Sequence, residues 1–337
     1  MTYKLYTWLF ILAIFASCTQ PKEKEAEQKL PEKTKDGITA LNEQISKSPN
    51  DASLLFRRSD YFFQKNNNKQ AFDDITKALS IDSTKDEYYL LLANVNFKGL
   101  QIQSAMDAFK KAIEINSSNG EAHLKLAELY LYVKAYPNCI TEANEALKID
   151  KNNAKAYFIK AFAYKETGDT LRALSTFQTA VEVKSDYYDA YIQMGNILTV
   201  RQDPLALQYY NNALQIRPTS TEALYNRGLF YQDVGETDMA INDYNAIIKI
   251  DPAYADAHYN LGYIDCAFKE DFNSAIKHFT DAIRINSDYV EAFYNRGLCF
   301  ESLNDKQSAM KDYIAALGIV PTYKLAKDRL NNLTKNK

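Results

Sequence analysis

Apolar residues recur at helical spacing along most of this chain, in pairs of amphipathic segments joined by short polar turns. The pattern is clearest in residues 222–252, which return almost intact as residues 291–321. In the first of these stretches a turn falls at Gly235 and a stop at Pro252. Leu224, Gly228 and Tyr231 mark the first segment, and Ala240, Tyr244 and Ile247 mark the second. The pattern therefore predicts a repeated unit of two helices.

A small residue in the second segment of each pair gives the repeat its register. It recurs at intervals of about 34 residues. The positions are Ala71, Ala105, Cys139, Ala173, Ala206, Ala240, Ala275 and Ala309. Because antiparallel helices cross closely only where a side chain is small, we expect the closest approach of one hairpin at Gly228 with Ala240. A single hairpin cannot bury its apolar faces alone, so the hairpins must stack.

This register and the helix-turn-helix pattern resemble the tetratricopeptide repeat family over residues 52–323. The resemblance implies an all-α fold, a right-handed superhelical solenoid of about eight repeats with a capping helix at each end. The predicted repeats are 52–85, 86–119, 120–153, 154–187, 188–220, 221–254, 255–289 and 290–323. Residues 36–51 and 324–337 are the predicted N-terminal and C-terminal capping helices.

The first residues have the layout of an export signal. Lys4 precedes an apolar core that is too short to span a bilayer comfortably and that ends at Ala16, Ser17 and Cys18. This arrangement resembles the signal of bacterial lipoproteins, which implies cleavage of residues 1–17 and fatty acylation of Cys18, as with palmitate. An uncleaved signal anchor and a simple secretory signal are the alternatives. Residues 18–35 are rich in Lys and Glu and predict a flexible tether.

The lipoprotein resemblance also implies a location, the bacterial cell envelope. Thr19 is not Asp, so the inner-membrane retention signal of some enteric bacteria is absent and the outer membrane is favoured. The rest of the composition is ordinary for a folded protein, with 46% hydrophobic residues. Because 40 Lys and Arg stand against 43 Asp and Glu, nucleic acid is not an expected partner.

No pattern typical of an enzyme is present. The sequence lacks a phosphate-binding glycine loop, a zinc-protease motif, a nucleophile elbow and paired Cys/His metal ligands. His123 and His258 occupy positions that hold aromatic residues in sister repeats, which favours packing over catalysis. Cys139 takes the small-residue position and is expected to be a buried thiol. We therefore expect no catalytic residues, metal, cofactor or small-molecule substrate.

The family resemblance places a binding groove along the first helices, where a segment of a partner protein would lie. Aromatic residues at helical spacing form a predicted ladder there, and an Asn follows three of its members. The candidate groove residues are Phe158, Phe162, Tyr225, Asn226, Tyr259, Asn260, Tyr263, Tyr294 and Asn295. The alternative is that these aromatic side chains pack within and between repeats.

Acidic residues begin most of the first helices, at Glu87, Glu121, Asp189, Glu222, Asp256 and Glu291. They could select a basic partner, but acidic residues in a first turn are also favoured by the helix dipole. Arg227 and Arg296 stand where the family usually has a packing Leu, so a clamp for a carboxylate tail is not expected.

The sequence thus predicts a membrane-anchored scaffold. An adaptor that regulates a peptidoglycan hydrolase or a secretion complex is the alternative, and an enzyme with an unrecognised site is a remote one.

Overall fold

The computed structural model describes residues 36–335, and all of the regular structure in that range is α-helical. Eighteen helices follow one another with short connections, so the predicted all-α helical repeat architecture is confirmed. The predicted signal peptide, Cys18 and the tether lie outside the described residues. The division of the chain into signal, tether, caps and numbered repeats stays a prediction.

The first of two compact units ends at Val183. It contains one single helix and then four helical hairpins, in which each helix packs on the next. The helices are α1 Asp36–Lys47, α2 Ala52–Gln64, α3 Asn68–Ile81, α4 Asp86–Lys98, α5 Ile102–Ile115, α6 Gly120–Tyr132, α7 Tyr136–Ile149, α8 Ala154–Glu166 and α9 Thr170–Val183.

The second unit begins at Lys184 and contains four hairpins followed by a single helix. Its helices are α10 Tyr188–Thr199, α11 Leu205–Ile216, α12 Thr221–Asp233, α13 Thr237–Ile250, α14 Ala255–Ala267, α15 Phe272–Ile285, α16 Val290–Ser302, α17 Lys306–Ile319 and α18 Lys324–Lys335. In both units the even-numbered helices from α2 to α16 are the first helices of the hairpins.

Every hairpin turns through one residue with a left-handed backbone. Only two of these residues are glycines, Gly168 and Gly235. The other turn residues are Asn66, Leu100, Lys134, Gln202, Glu270 and Asn304. Side chains then cap the following helix in several hairpins, as where the Ser308 backbone N–H donates to Asp305 Oδ1 at 3.0 Å. The same short turn therefore forms from varied residues, because the geometry of the hairpin imposes it.

The two helices of a hairpin in the second unit approach where a glycine of the first helix faces a buried ring of the second. A Cβ placed on Gly228 would lie 2.9 Å from Cε1 of Tyr244, and one on Gly297 would lie 2.6 Å from Cε1 of Tyr313. Both rings are fully buried. The expected close approach of Gly228 to Ala240 stays a prediction, and the atoms nearest to a Cβ at Gly228 belong to Tyr244 and Asp243. The glycine makes room for the ring one turn further along the second helix.

We predict opposite effects for two glycine substitutions in the second unit. Gly297→Ala should destabilise the unit by about 1–3 kcal/mol, since the new methyl group overlaps the Tyr313 ring. Gly318→Ala should stabilise it by up to about 1 kcal/mol, because Gly318 lies in α17 with nothing within 4 Å of its Cβ position. Urea unfolding followed by far-UV circular dichroism measures both. Equal stabilisation by the two alanines would contradict the ring-packing account.

Candidate binding surface

The first helices of neighbouring hairpins lie side by side within each unit. In the second unit α10 contacts α12 and α14 contacts α16, and in the first unit α2 contacts α4 and α6 contacts α8. Residues at matching positions of each contacting pair therefore lie side by side, and we call the first helices of a unit its layer. This layer is where the candidate groove residues are found.

Tyr225, Tyr259 and Tyr294 occupy matching positions on α12, α14 and α16, and we call them the tyrosine row. Each ring packs on an aromatic ring of its own second helix and on a tyrosine just before the helix that follows the hairpin. The centroid distances to the second helix are 6.2 Å to Tyr244, 5.6 Å to Phe279 and 5.9 Å to Tyr313. The distances to the tyrosines before α14, α16 and the single helix α18 are 5.7 Å to Tyr254, 4.8 Å to Tyr289 and 5.6 Å to Tyr323.

These contacts make the tyrosine row part of the joint between consecutive hairpins. Its three rings are half-buried, so one edge of each remains accessible. The hydroxyl of Tyr259 also accepts a hydrogen bond from Nδ2 of Asn295 at 2.8 Å. Burial raises the pKa of Tyr259 above its ordinary value, so this phenol stays protonated at neutral pH. The row is thus held in place before any partner arrives.

The candidates in the first unit are placed differently. Phe158 and Phe162 are only 6% and 3% exposed, and the Phe158 ring lies 5.4 Å from that of Phe177 on the second helix. The structure places these two rings in the hairpin core rather than on an accessible surface.

The remaining candidates divide between core and surface. Asn260 is buried, and Asn226 is half-buried. Tyr263 is 37% exposed and meets the ring of Phe268, itself 50% exposed, at a centroid distance of 6.2 Å. This pair is the most accessible aromatic surface among the candidate positions. The assignment of all these residues to a groove stays a prediction.

Several acidic residues that begin first helices tie one hairpin to the next. The Tyr188 hydroxyl donates to Glu222 Oε2 at 2.9 Å, and the Tyr289 hydroxyl donates to Asp256 Oδ1 at 2.9 Å. Burial raises the pKa of Glu222, and it also raises that of Asp189 nearby. The acidic positions therefore contribute to stacking as well as to the charge of the layer.

Sequence reasoning missed a set of arginine–aspartate pairs. Arg227 forms a forked pair with Asp243, with Nε to Oδ2 at 2.9 Å and Nη2 to Oδ1 at 2.6 Å. Its Nη1 donates to Asn211 Oδ1 on the second helix of the preceding hairpin. The same arrangement recurs at Arg58 with Asp74 and at Arg296 with Asp312. A separation of 16 residues in all three pairs was the available signal. These arginines therefore hold the two helices of a hairpin together through their aspartate partners.

The histidines are also accounted for by packing. His123 is buried with Nδ1 2.6 Å from Glu142 Oε2, and His258 is buried with Nε2 3.3 Å from the Pro252 carbonyl oxygen. Across residues 36–335, no group of three or more His, Cys, Asp or Glu side chains is arranged to hold a metal. Within that same range, no helix combines the length and the apolar character that crossing a bilayer requires.

Three stretches of this chain match models of known repeats. Residues 231–264 match a model described as TPR repeat, and residues 268–324 and 154–187 match models described as tetratricopeptide repeat. With the geometry above, these matches support a tetratricopeptide repeat protein. Such proteins are generally non-catalytic scaffolds, so the matches also support a role in protein interaction. The absence of an enzymatic activity stays a prediction.

Similar solved structures confirm the fold. The C-terminal part of a TPR repeat-containing protein from Cytophaga hutchinsonii is 19% identical, with a TM-score of 0.62, over 70% of this chain and 97% of that one. A tetratricopeptide repeat protein from Parabacteroides merdae is 16% identical (TM-score 0.53; 74% and 98% covered). Pseudomonas aeruginosa pilF is 17% identical (TM-score 0.53; 60% and 92% covered).

We predict that Glu222→Gln stabilises the second unit at pH 8 and that the gain shrinks as the pH falls toward 4. The folded pKa of Glu222 is raised, so the folded state binds its proton more tightly than the unfolded state. The contribution of Glu222 to the stability of the unit is therefore greatest at low pH and is lost as the pH rises through the folded pKa of this carboxyl group. Gln removes the charge and can still accept from Tyr188.

Thermal unfolding of both proteins across this pH range is the measurement. Glu291→Gln is the matched control, because Glu291 holds the corresponding helix position in an exposed setting. It should change the melting temperature little at either pH. A Glu222→Gln effect that is constant with pH would show that burial of the charge is not the cause.

Proposed function

We propose that this protein is a lipid-anchored scaffold of the bacterial cell envelope, which binds a segment of a partner protein along its first helices. The observation that carries the proposal is the half-buried tyrosine row together with the exposed pair Tyr263 and Phe268, which lies one helical turn and more beyond Tyr259 along the chain. Exposed aromatic rings on a fixed support are the residues that most often anchor protein interfaces. The repeat matches support the same general role.

Preorganisation strengthens this proposal. The rings of the tyrosine row are already packed on two sides, so a partner that covers the exposed part of the row need not immobilise them. Tyrosine also keeps a hydroxyl at the edge of an apolar ring, which suits a surface that alternates between water and a partner. A partner segment would therefore gain apolar contact at little cost in side-chain entropy.

Charge favours a partner segment that contains Lys or Arg. The four first helices of the second unit, α10, α12, α14 and α16, carry seven Asp and Glu residues and only two arginines. Both arginines, Arg227 and Arg296, are occupied by Asp243 and Asp312. These helices thus carry more carboxylates than cations, although Lys269 lies 3.9 Å from Asp265 and Arg329 lies 3.9 Å from Glu301. Electrostatic complementarity of this kind raises association rates and selects among partners.

The anchor is the second part of the proposal. Cys18 would carry acyl chains, and residues 19–35 would hold the repeats away from the lipid surface. The outer membrane is the proposed location. A scaffold placed there could present a peptidoglycan hydrolase or a secretion component to its substrate, which is the narrower form of the same function.

We predict that a photo-reactive amino acid at position 263 captures a partner protein and that one at position 239 does not. Position 239 is the control because Met239 is an exposed apolar residue on α13, a second helix. Mass spectrometry of the captured product identifies the partner segment. We expect it to carry Lys or Arg, since it meets the acidic layer.

Substitution completes this test. Tyr263→Ser should reduce partner binding at least tenfold, because an anchoring aromatic contributes about 1.4 kcal/mol or more. Met239→Ser should leave binding unchanged. Equal capture from both positions, together with unchanged binding by Tyr263→Ser, would rule out the first-helix layer as the binding surface.

The anchor has a separate prediction. Cys18→Ser should release the protein from membranes and abolish labelling by a fatty-acid analogue, since no thiol would remain for acylation. Fractionation and gel fluorescence measure the two effects. Cys139→Ser should leave both unchanged. A Cys18→Ser protein that stays membrane-bound would indicate an uncleaved signal anchor instead.

A further inference from the structure

Two cysteines of the second unit lie together on neighbouring first helices. Cys266 is in α14 and Cys299 is in α16, and these two helices are in contact. Both side chains belong to the same apolar cluster. A disulfide needs two cysteines on facing backbone segments, which contacting helices with both thiols in one cluster provide.

The two thiols differ in access. Cys299 is fully buried, whereas Cys266 is half-buried and can be reached from solvent. Interaction with the neighbouring Cys299 thiol lowers the pKa of Cys266, and interaction with Cys266 raises the pKa of Cys299. Cys266 is therefore the thiol that ionises and attacks first, and Cys299 is the thiol that follows.

We propose that Cys266 and Cys299 form a disulfide bond that links α14 to α16 when the protein is in an oxidising compartment. The oxidant is a dithiol-derived or glutathione-type disulfide. The Cys266 thiolate attacks one sulfur of this oxidant, which forms a mixed disulfide and releases one thiolate. Cys299 then loses its proton and attacks the Cys266 sulfur, which releases the second thiolate. Two electrons pass to the oxidant, and the two protons end on its two released sulfur atoms.

The bond would have a local effect on the candidate surface. Cys266 is one helical turn after Tyr263, and Cys299 lies on the helix that carries Tyr294. A covalent link at this point fixes the spacing of two helices in the tyrosine row. The inference goes beyond the proposed function and does not depend on it, because it rests only on the placement of the two thiols.

The test uses the purified full-length protein with oxidised glutathione as the probe. After alkylation in denaturant and digestion with trypsin, we expect peptides 250–269 and 297–306 to be joined by a disulfide. Reduced glutathione in place of the oxidised form should leave them separate. Peptide 135–148 should stay alkylated and unlinked, because burial raises the pKa of Cys139 to about 12 and holds it away from the oxidant.

Thermal unfolding gives an independent readout. Oxidation should raise the melting temperature of the wild-type protein by several degrees, as expected for a cross-link that closes a loop of this length. Cys266→Ser, a change at the half-buried position, should melt like the reduced wild-type protein and should not respond to oxidation. The proposal is overturned if Cys266 and Cys299 each carry glutathione or the alkyl label and no joined peptide is found.

Discussion

The packing of a buried ring of the second helix against a glycine of the first is the interaction on which the second unit depends. At Gly297 even one methyl group would overlap Tyr313, so the helix spacing is fixed by the smallest side chain available. Once that spacing is fixed, the residues of the first helix that contact the following hairpin are also held in place. The tyrosine row, the acidic first turns and the paired thiols all depend on it.

The same side chains serve stability and recognition in this fold. Tyr259 packs on Phe279 within its hairpin and stacks on Tyr289 from the next, yet part of its ring stays accessible. Each hairpin contacts only its neighbours, so a surface made from several first helices must be built from joint residues. Removing such a ring would therefore alter the joint before it altered binding, and Tyr263 is better suited to probe recognition.

The sequence predicted the helices well because spacing and small residues record local geometry. It did not show that the Tyr244 ring faces Gly228, however, since a period of about 34 residues does not record which side chain of the second helix lies nearest to the glycine. It also could not show that Phe158 and Phe162 are buried, because burial depends on the neighbours of a ring as well as on its helical position. The arginine–aspartate pairs were missed because they join two helices, and only comparison across repeats reveals them.

Those pairs also explain how a layer can be acidic in a chain that is nearly neutral. The carboxylates of Asp243 and Asp312 are almost fully buried and need a fixed cation, and Arg227 and Arg296 supply it through forked hydrogen bonds. Each arginine also reaches the preceding hairpin, so its charge is used inside the stack. Lys269 and Arg329, which lie outside the first helices of the second unit, reach Asp265 and Glu301, so those four helices keep an excess of negative charge that favours a basic partner segment.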